Sequence, residues 1–309
     1  MFISTIIPTL GRPTLSRAVQ SVLDQTIISE DIEFEIIVVN NSGQPLPVES
    51  WHKDPHVRSI NTKKGNYIIA RNTGAAIAKG EYLHLLDDDD WLHRDAISVF
   101  WRLAESNPDA SVLYGGVEFV DYKGNYIGKL NLNKSGNCIS QIIGGALIFL
   151  QSGIIKTKDY FSVGGLSPFY IPSEEIYLWG KIALQGRFVN TQDTVVYISR
   201  GIGWSSSVSY SICPENNRKI RDRALNEDGV FKKLRDSADT SYWRGRIMRV
   251  YIATALWNWR QRRFFTFLSR TLWGSLWFFS SGRSLFTIDF WSGLKDTRPP
   301  CTVDRVLYK

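Results

Sequence analysis

The sequence predicts an α/β protein: a mostly parallel sheet flanked by helices, followed by a helical C-terminal extension. Three observations predict it. Across residues 1–115, short β-rich runs alternate with helical spacing, the order that builds a parallel sheet with helices on both faces. One run, Ile36-Ile37-Val38-Val39, is apolar at every position, as expected of a strand buried on both faces. The last third keeps helical spacing, with apolar residues at Trp243, Ile247, Val250, Tyr251 and Trp257.

The elements follow in order. Ile3 to Ile7 is a strand stopped by Pro8. Pro13 suits the first turn of a helix carrying Leu15, Ala18, Val19 and Val22 on one face. Val57 to Ile60 is a weaker strand, and residues 67–79 a helix ended by Gly80. Tyr82 to Leu86 is a strand, Asp95 to Glu105 a helix, and Ser111 to Tyr114 another strand. Val117 to Tyr122 and Tyr126 to Leu130 flank Lys123-Gly124-Asn125 as a hairpin, and Ser173 to Gln185 reads as a helix. Ligands of such sheets collect beyond the carboxyl ends of the strands. Polar clusters stand at three of those ends: Thr9 to Arg12, Asn40 to Ser42 and Asp87 to Asp90.

Composition is that of a globular chain, with 43% hydrophobic and 22% charged residues among 309. Cys138, Cys213 and Cys301 give an odd count without close pairing, so free thiols in a reducing compartment are expected. Met1 to Pro8 has no basic leader and no long apolar run, so no signal peptide is expected. The net charge of +7 is uneven. Residues 1–213 hold 18 Lys/Arg against 21 Asp/Glu, and residues 214–309 hold 19 against 9, together with six of the 11 Trp. A basic, aromatic tail attracts anions. With no zinc-finger spacing and no nucleic-acid module, an anionic membrane surface is the expected partner and nucleic acid is not.

The strongest motif is Leu85-Leu86-Asp87-Asp88-Asp89-Asp90-Trp91. Adjacent carboxylates repel one another, and a divalent cation removes that penalty. Mg2+ or Mn2+ prefers hard oxygen ligands and leaves room for substrate phosphates. A solvated acidic loop, with Asp90 or Asp95 favouring a helix start, accounts for the same residues in structural terms alone.

Around this run the chain resembles the large inverting family known as glycosyltransferase family two, which has the GT-A fold. The matching segments are Ile6 to Pro13, Ser21 to Thr26, Ile37 to Ser42, Gly65 through Ala70-Arg71-Asn72-Thr73-Gly74, and Ala78 to Leu83 leading into the aspartates. Order and spacing agree over about the first hundred residues, with a weaker match onward. The resemblance implies a metal-dependent, hexosyltransferase-like enzyme that takes a sugar from a nucleotide-diphosphate donor, with UDP as the expected nucleotide. It implies halves at 1–115 for the donor and 116–212 for the acceptor, and leaves 213–309 as a basic, Trp-rich helical region.

Carried over residue by residue, Asp87 and Asp89 become the metal ligands and Asp88 joins Asp87 in assisting at the nucleotide. Asp90 either supports them from behind or stays in solvent. Thr9 and Arg12 match positions near the base and diphosphate, though both also suit a turn and helix start. Arg71, with Asn72, matches a segment beside the diphosphate, where a guanidinium can hold phosphate with two parallel bonds; an ion pair on the helix surface is the plain alternative. Asn40 stands where the family usually has the Asp that binds uracil. An amide both donates and accepts, so it can still pair with that base.

Downstream, Phe161 to Leu166 and Pro172 to Trp179 resemble the acceptor-side motif, a Gly-Gly turn and an acidic pair opening a helix. The family's second acid is the catalytic base, here Glu175. A hydroxyl nucleophile must lose its proton as it attacks, and a carboxylate opposite the departing diphosphate gives inversion. Ser173, Glu174 and Glu175 also suit a helix cap with first-turn acids. Relatives often carry a histidine after the last core strand. Tyr197 to Ser205 has none, and Arg200 is the residue there able to serve the diphosphate instead.

Phe264 to Phe279 is largely apolar, shorter than the ~20 residues a spanning helix needs, and follows Arg260, Arg262 and Arg263. It fits a helix lying among lipid headgroups, and equally a helical pair packed on the body or on a second copy. The functional expectation is therefore an inverting transfer from a UDP-sugar to a saccharide or lipid-linked acceptor in surface polysaccharide or glycolipid synthesis. The place expected for it is the cytoplasm, peripheral on the inner face of the membrane. Two other readings remain: a catalytically inactive GT-A-fold adaptor, or a sugar nucleotidyltransferase. The latter lacks its glycine-rich loop with Arg and Lys at Thr9 to Pro13.

Overall fold

The order and burial of the first four strands follow from their sequences. β1 (Phe2–Thr9), β2 (Glu33–Asn40), β3 (Val57–Asn61) and β4 (Tyr82–Leu85) lie parallel in the order β3-β2-β1-β4. In this computed structural model, residues 1–121, 123–130, 134–146, 148–171, 173–200, 213–238 and 240–296 are described. Alternate residues of the apolar runs enter two cores. Ile6, Ile37 and Val39 pack with Ile68 of α2 (Tyr67–Ile77), while Ile7, Ile36 and Val38 pack with Ala18, Val19 and Val22 of α1 (Leu15–Leu23). Gly74 is why α2 sits so close: a Cβ there would lie 2.4 Å from Ile6 Cγ2. That approach brings Arg71, on the same helix, over the end of β4.

Beyond β4 the sheet becomes mixed. β5 (Trp91–Leu92), α3 (Ala96–Ser106), β6 (Val112–Val120), β7 (Tyr126–Leu130), α4 (Ile139–Gly144), β8 (Gly153–Lys156), α5 (Thr157–Ser162), α6 (Glu174–Ala183) and β9 (Phe188–Ser199) follow. β8 inserts antiparallel between β4 and β6, β9 runs parallel to β6, and β5 closes the far edge antiparallel to β9. The strand read at Ser111 to Tyr114 and the first arm of the hairpin are one strand, β6. It passes through Gly115, where a Cβ would meet Val195 Cγ1 at 2.6 Å. The hairpin forms as expected, with Val117 opposite Leu130.

The extension is helical: α7 (Cys213–Ala224), α8 (Val230–Ser237), α9 (Ser241–Arg260), α10 (Phe264–Ser280) and α11 (Ile288–Lys295). It shares a core with the body, since Leu234, Ile247, Val250, Tyr251 and Trp277 join Ile139, Ile142 and Leu178. Arg246 of α9 is buried and donates Nε to the Gly144 carbonyl at the end of α4, 2.8 Å away. Arg270, the one charge of α10, is also buried; its Nε donates to Asp222 of α7 at 2.6 Å. The α9–α10 pair therefore packs on the body. Among the described residues no helix is long and apolar enough to cross a membrane. Cys138 is a buried free thiol; the Cys213 side chain and Cys301 lie outside the described residues.

Candidate active site

The ends of β1, β2 and β4 meet. Thr9 stands opposite Asn40 in the parallel register. Its hydroxyl donates to Asp88 Oδ2 at 2.6 Å and accepts from the Gly11 amide at 2.9 Å. Arg12, in the turn before α1, reaches back with one nitrogen to Asp88 Oδ1 at 3.0 Å and Asp89 Oδ2 at 2.9 Å. Thr9 and Arg12 thus both build the turn and face the acidic run.

The four aspartates divide by direction. Asp88 is turned to Thr9 and Arg12. Carboxylate oxygens of Asp87, Asp89 and Asp90 lie within 4.8 Å of one another. Asp90 is buried and accepts from the Ser199 amide at 2.9 Å, so it is a member of the cluster and not a solvated neighbour. Burial, then repulsion from Asp87, pushes the Asp89 carboxyl up to about 6 and raises Asp90 well above its ordinary value. Burial raises Asp88 as well, against the opposing pull of Thr9 and Arg12. Three crowded, partly buried carboxylates form an all-oxygen anionic donor set, and such a set fits Mg2+ or Mn2+.

Arg71 links this cluster to the acceptor-side motif. It is buried, donates one terminal nitrogen to Asp87, and directs the other at Glu174 Oε1, 3.4 Å away. Burial alone would lower its pKa; Asp87 and Glu174 outweigh burial and hold the guanidinium charged. It is therefore no helix-surface pair. Tyr67, one turn earlier on α2, lies under the guanidinium, 5.0 Å from ring centroid to Cζ. Burial and the neighbouring Glu174 keep its phenol protonated. Gln151 donates to the other oxygen of Asp87 at 2.6 Å.

Glu174 and Glu175 open α6, and Ser173 makes no side-chain cap hydrogen bond to that helix. The two acids differ. Glu174 is committed to Arg71. Burial, then the charge of Glu174, pushes Glu175 up to about 8, against Arg71 and Arg200. Glu175 Oε2, Gln151 Oε1 and Arg71 Nε are buried without a hydrogen-bond partner. Glu174 Oε2 is a fourth such atom, and four orphaned polar atoms on residues linked through Arg71 and Asp87 are expensive unless a polar ligand meets them.

Asn40 lies beside this site but is spent within its own loop. Its amide donates to Gln44 O at 2.7 Å and Asn61 Oδ1 at 2.8 Å, and its carbonyl accepts from the Ser42 amide and hydroxyl. Asn72 is also structural. It donates to Leu166 O at 2.8 Å and accepts from Leu166 N and the Tyr160 hydroxyl, pinning the Gly164-Gly165 turn to α2. Both glycines have positive φ, 84° and 67°, which a side chain would resist. Arg200 acts electrostatically on both Asp90 and Glu175. Residues 201–205 of that stretch lie outside the described residues.

Sequence reasoning missed Tyr67, Gln151 and the inward direction of Asp90. Tyr67 carried a signal, standing four residues before Arg71 on one helix face. Gln151 carried none, because only the return of β8 brings it to Asp87.

Residues 4–174 match the model of glycosyl transferase family 2. The poly(ribitol-phosphate) β-N-acetylglucosaminyltransferase TarP of Staphylococcus aureus (strain N315) is 30% identical over 156 residues, 48% of this chain and 46% of TarP. The chondroitin synthase of Pasteurella multocida (strain Pm70) is 26% identical over 126 residues, 35% of this chain and 13% of the synthase. The chain spans less than half the length of both relatives. The crystal structure of S. aureus TarS 1-349 with UDP-GlcNAc superposes with a TM-score of 0.59 at 16% identity, covering 89% of this chain and 91% of that one. At that identity the likeness establishes the GT-A fold. The match to the family model covers more than half of the 309 residues, and the chain belongs to glycosyl transferase family 2.

Proposed function

We propose that the chain is an inverting glycosyltransferase that moves a sugar from a UDP-sugar to an acceptor hydroxyl in surface polysaccharide or glycolipid synthesis. One observation carries the reading: Arg71 ties the aspartate cluster to the Glu174–Glu175 pair within a single buried network. Donor chemistry and acceptor chemistry need those two carboxylate sites held at a fixed separation.

In this reading Glu175 takes the proton from the acceptor hydroxyl as its oxygen bonds to the anomeric carbon. The bond to the diphosphate oxygen breaks on the opposite face, and the nucleoside diphosphate leaves. A base raised towards neutral pH suits that task. Asp87, Asp89 and Asp90 would hold a divalent cation, which supplies charge compensation for the diphosphate. Thr9 and Arg12 orient Asp88 and Asp89, and Arg12 and Arg200 would supply positive charge to phosphate oxygens. Asn40 shapes the loop beside the base. TarS is crystallised with UDP-GlcNAc and TarP is named as an N-acetylglucosaminyltransferase, so UDP-N-acetylglucosamine is the first donor to test.

The test is nucleoside diphosphate release with Mn2+, a panel of nucleotide sugars and saccharide acceptors. Release that disappears in Asp89→Ala and Glu175→Gln supports the proposal. Pyrophosphate release from nucleoside triphosphates would assign a nucleotidyltransferase, and donor binding without turnover on any acceptor an adaptor.

A further inference from the structure

We propose that the outer face of α10, with the turn that follows it, seats in the headgroup layer of an anionic lipid bilayer. The inference concerns a surface that includes none of the carboxylates, and stands or falls separately from the transferase reading.

Helix α10 is apolar on two faces. The inner face, with Gly274 and Trp277, is buried against α9, and Arg270 ties it to Asp222. The outer face carries Phe265, Leu268, Leu272, Leu276 and Phe279, spaced by three or four residues so that they form one stripe. All five are exposed, Phe265 to 91% and Phe279 to 75%. Phe286 in the next turn and Ile288 at the start of α11 are exposed to 90% and 88%. Ile252, Leu256 and Trp259 form a second exposed stripe on the neighbouring α9, and Trp259 packs edge-on against Phe264 with ring centroids 5.3 Å apart. A contiguous apolar face of this kind is rare on monomeric proteins.

Charge selects the occupant. Residues 240–288 contain no Asp or Glu and eight Arg. Arg260, Arg262 and Arg263 are exposed at the start of α10 and Arg283 just beyond its end. Aromatic and aliphatic side chains bordered by Arg260, Arg262, Arg263 and Arg283, with the exposed Asp289 following Ile288, match an anionic headgroup layer, where the apolar groups sink and the guanidiniums stay among phosphates. A second copy docked by two-fold symmetry would set four exposed arginines, Arg260, Arg262, Arg263 and Arg283, against their own copies, more cations than Asp289 can answer. The buried Arg270–Asp222 pair keeps α10 on the body, so the helix lies along the surface and does not cross it.

The test is co-sedimentation with phosphatidylglycerol/phosphatidylcholine vesicles and with phosphatidylcholine vesicles alone, at low and high salt. Binding is expected to the former, weakened by salt. Phe265→Ser/Leu272→Ser/Phe279→Ser is expected to lower partitioning about ten-fold or more. Arg262→Gln/Arg263→Gln is expected to lower it about five-fold per charge, on anionic vesicles only. Because these side chains are exposed, both variants should keep the thermal midpoint and UDP release of the parent chain. Absence of binding to anionic vesicles overturns the proposal. So does a self-associated species in sedimentation velocity that the triple Ser variant dissociates while vesicles bind neither form; that result assigns the face to a second copy.

Discussion

Arg71 and Glu174 stand 103 residues apart in the chain, yet a guanidinium nitrogen lies 3.4 Å from the carboxylate. The same side chain donates to Asp87. Removing it leaves the buried Glu174 and the half-buried Asp87 without their cation. Arg71→Met should cost about 3–5 kcal/mol in urea unfolding and abolish turnover. A variant with parental stability would show that the pair is not what joins the two halves of the site.

Glu175 predicts a pH dependence. A carboxyl raised to about 8 holds a proton in the folded protein that the unfolded chain has released above 4.5. Stability of the ligand-free protein should therefore fall as pH rises between those values. As the base, deprotonated Glu175 is the active form, so kcat/KM should rise through the same range and level above it. Glu175→Gln should remove the rate slope, reduce the stability slope to the part carried by the raised Asp88, Asp89, Asp90 and Glu174, and slow turnover about 100- to 10,000-fold. A rate profile unchanged in shape by this substitution would move the base elsewhere.

Mn2+ should raise the thermal midpoint, because it relieves repulsion among Asp87, Asp89 and Asp90. At one hundred times its dissociation constant the gain is about 2.7 kcal/mol. Asp89→Asn and Asp90→Asn should each reduce that gain. Chelation should return the parent to its metal-free midpoint and stop UDP release.

Asn40→Asp restores the residue usual in the family but should destabilise this protein. It replaces two donors, to Gln44 O and Asn61 Oδ1, with carboxylate oxygens facing those acceptors. The expected cost in urea unfolding is about 1–3 kcal/mol. Unchanged stability with tighter UDP binding would mean that residue 40 reads the base directly.

The parallel half of the sheet was legible because strands buried on both faces are written as apolar runs, as in Ile36 to Val39. β8 was not, since four residues of a return strand carry no usable period. β6 was split because Gly115 looks like a break, whereas here it admits Val195. In the site, the aspartate run announced itself by charge alone, and Arg71 and Glu175 came from resemblance. The direction of each side chain did not. Asp88 turns to Thr9 while Asp90 turns to the Ser199 amide, and both choices depend on strands far apart in sequence. Nor did the type of Asn40, which fits a uracil, announce that its amide donates to Asn61 on β3.

The most direct test of the central claim is the anomeric configuration of the product formed from an α-linked UDP-sugar, read by proton NMR. With Mn2+ present the account predicts a β-linked product from the parent chain and none from Glu175→Gln. An α-linked product, or a β-linked product made equally fast by Glu175→Gln, would contradict it.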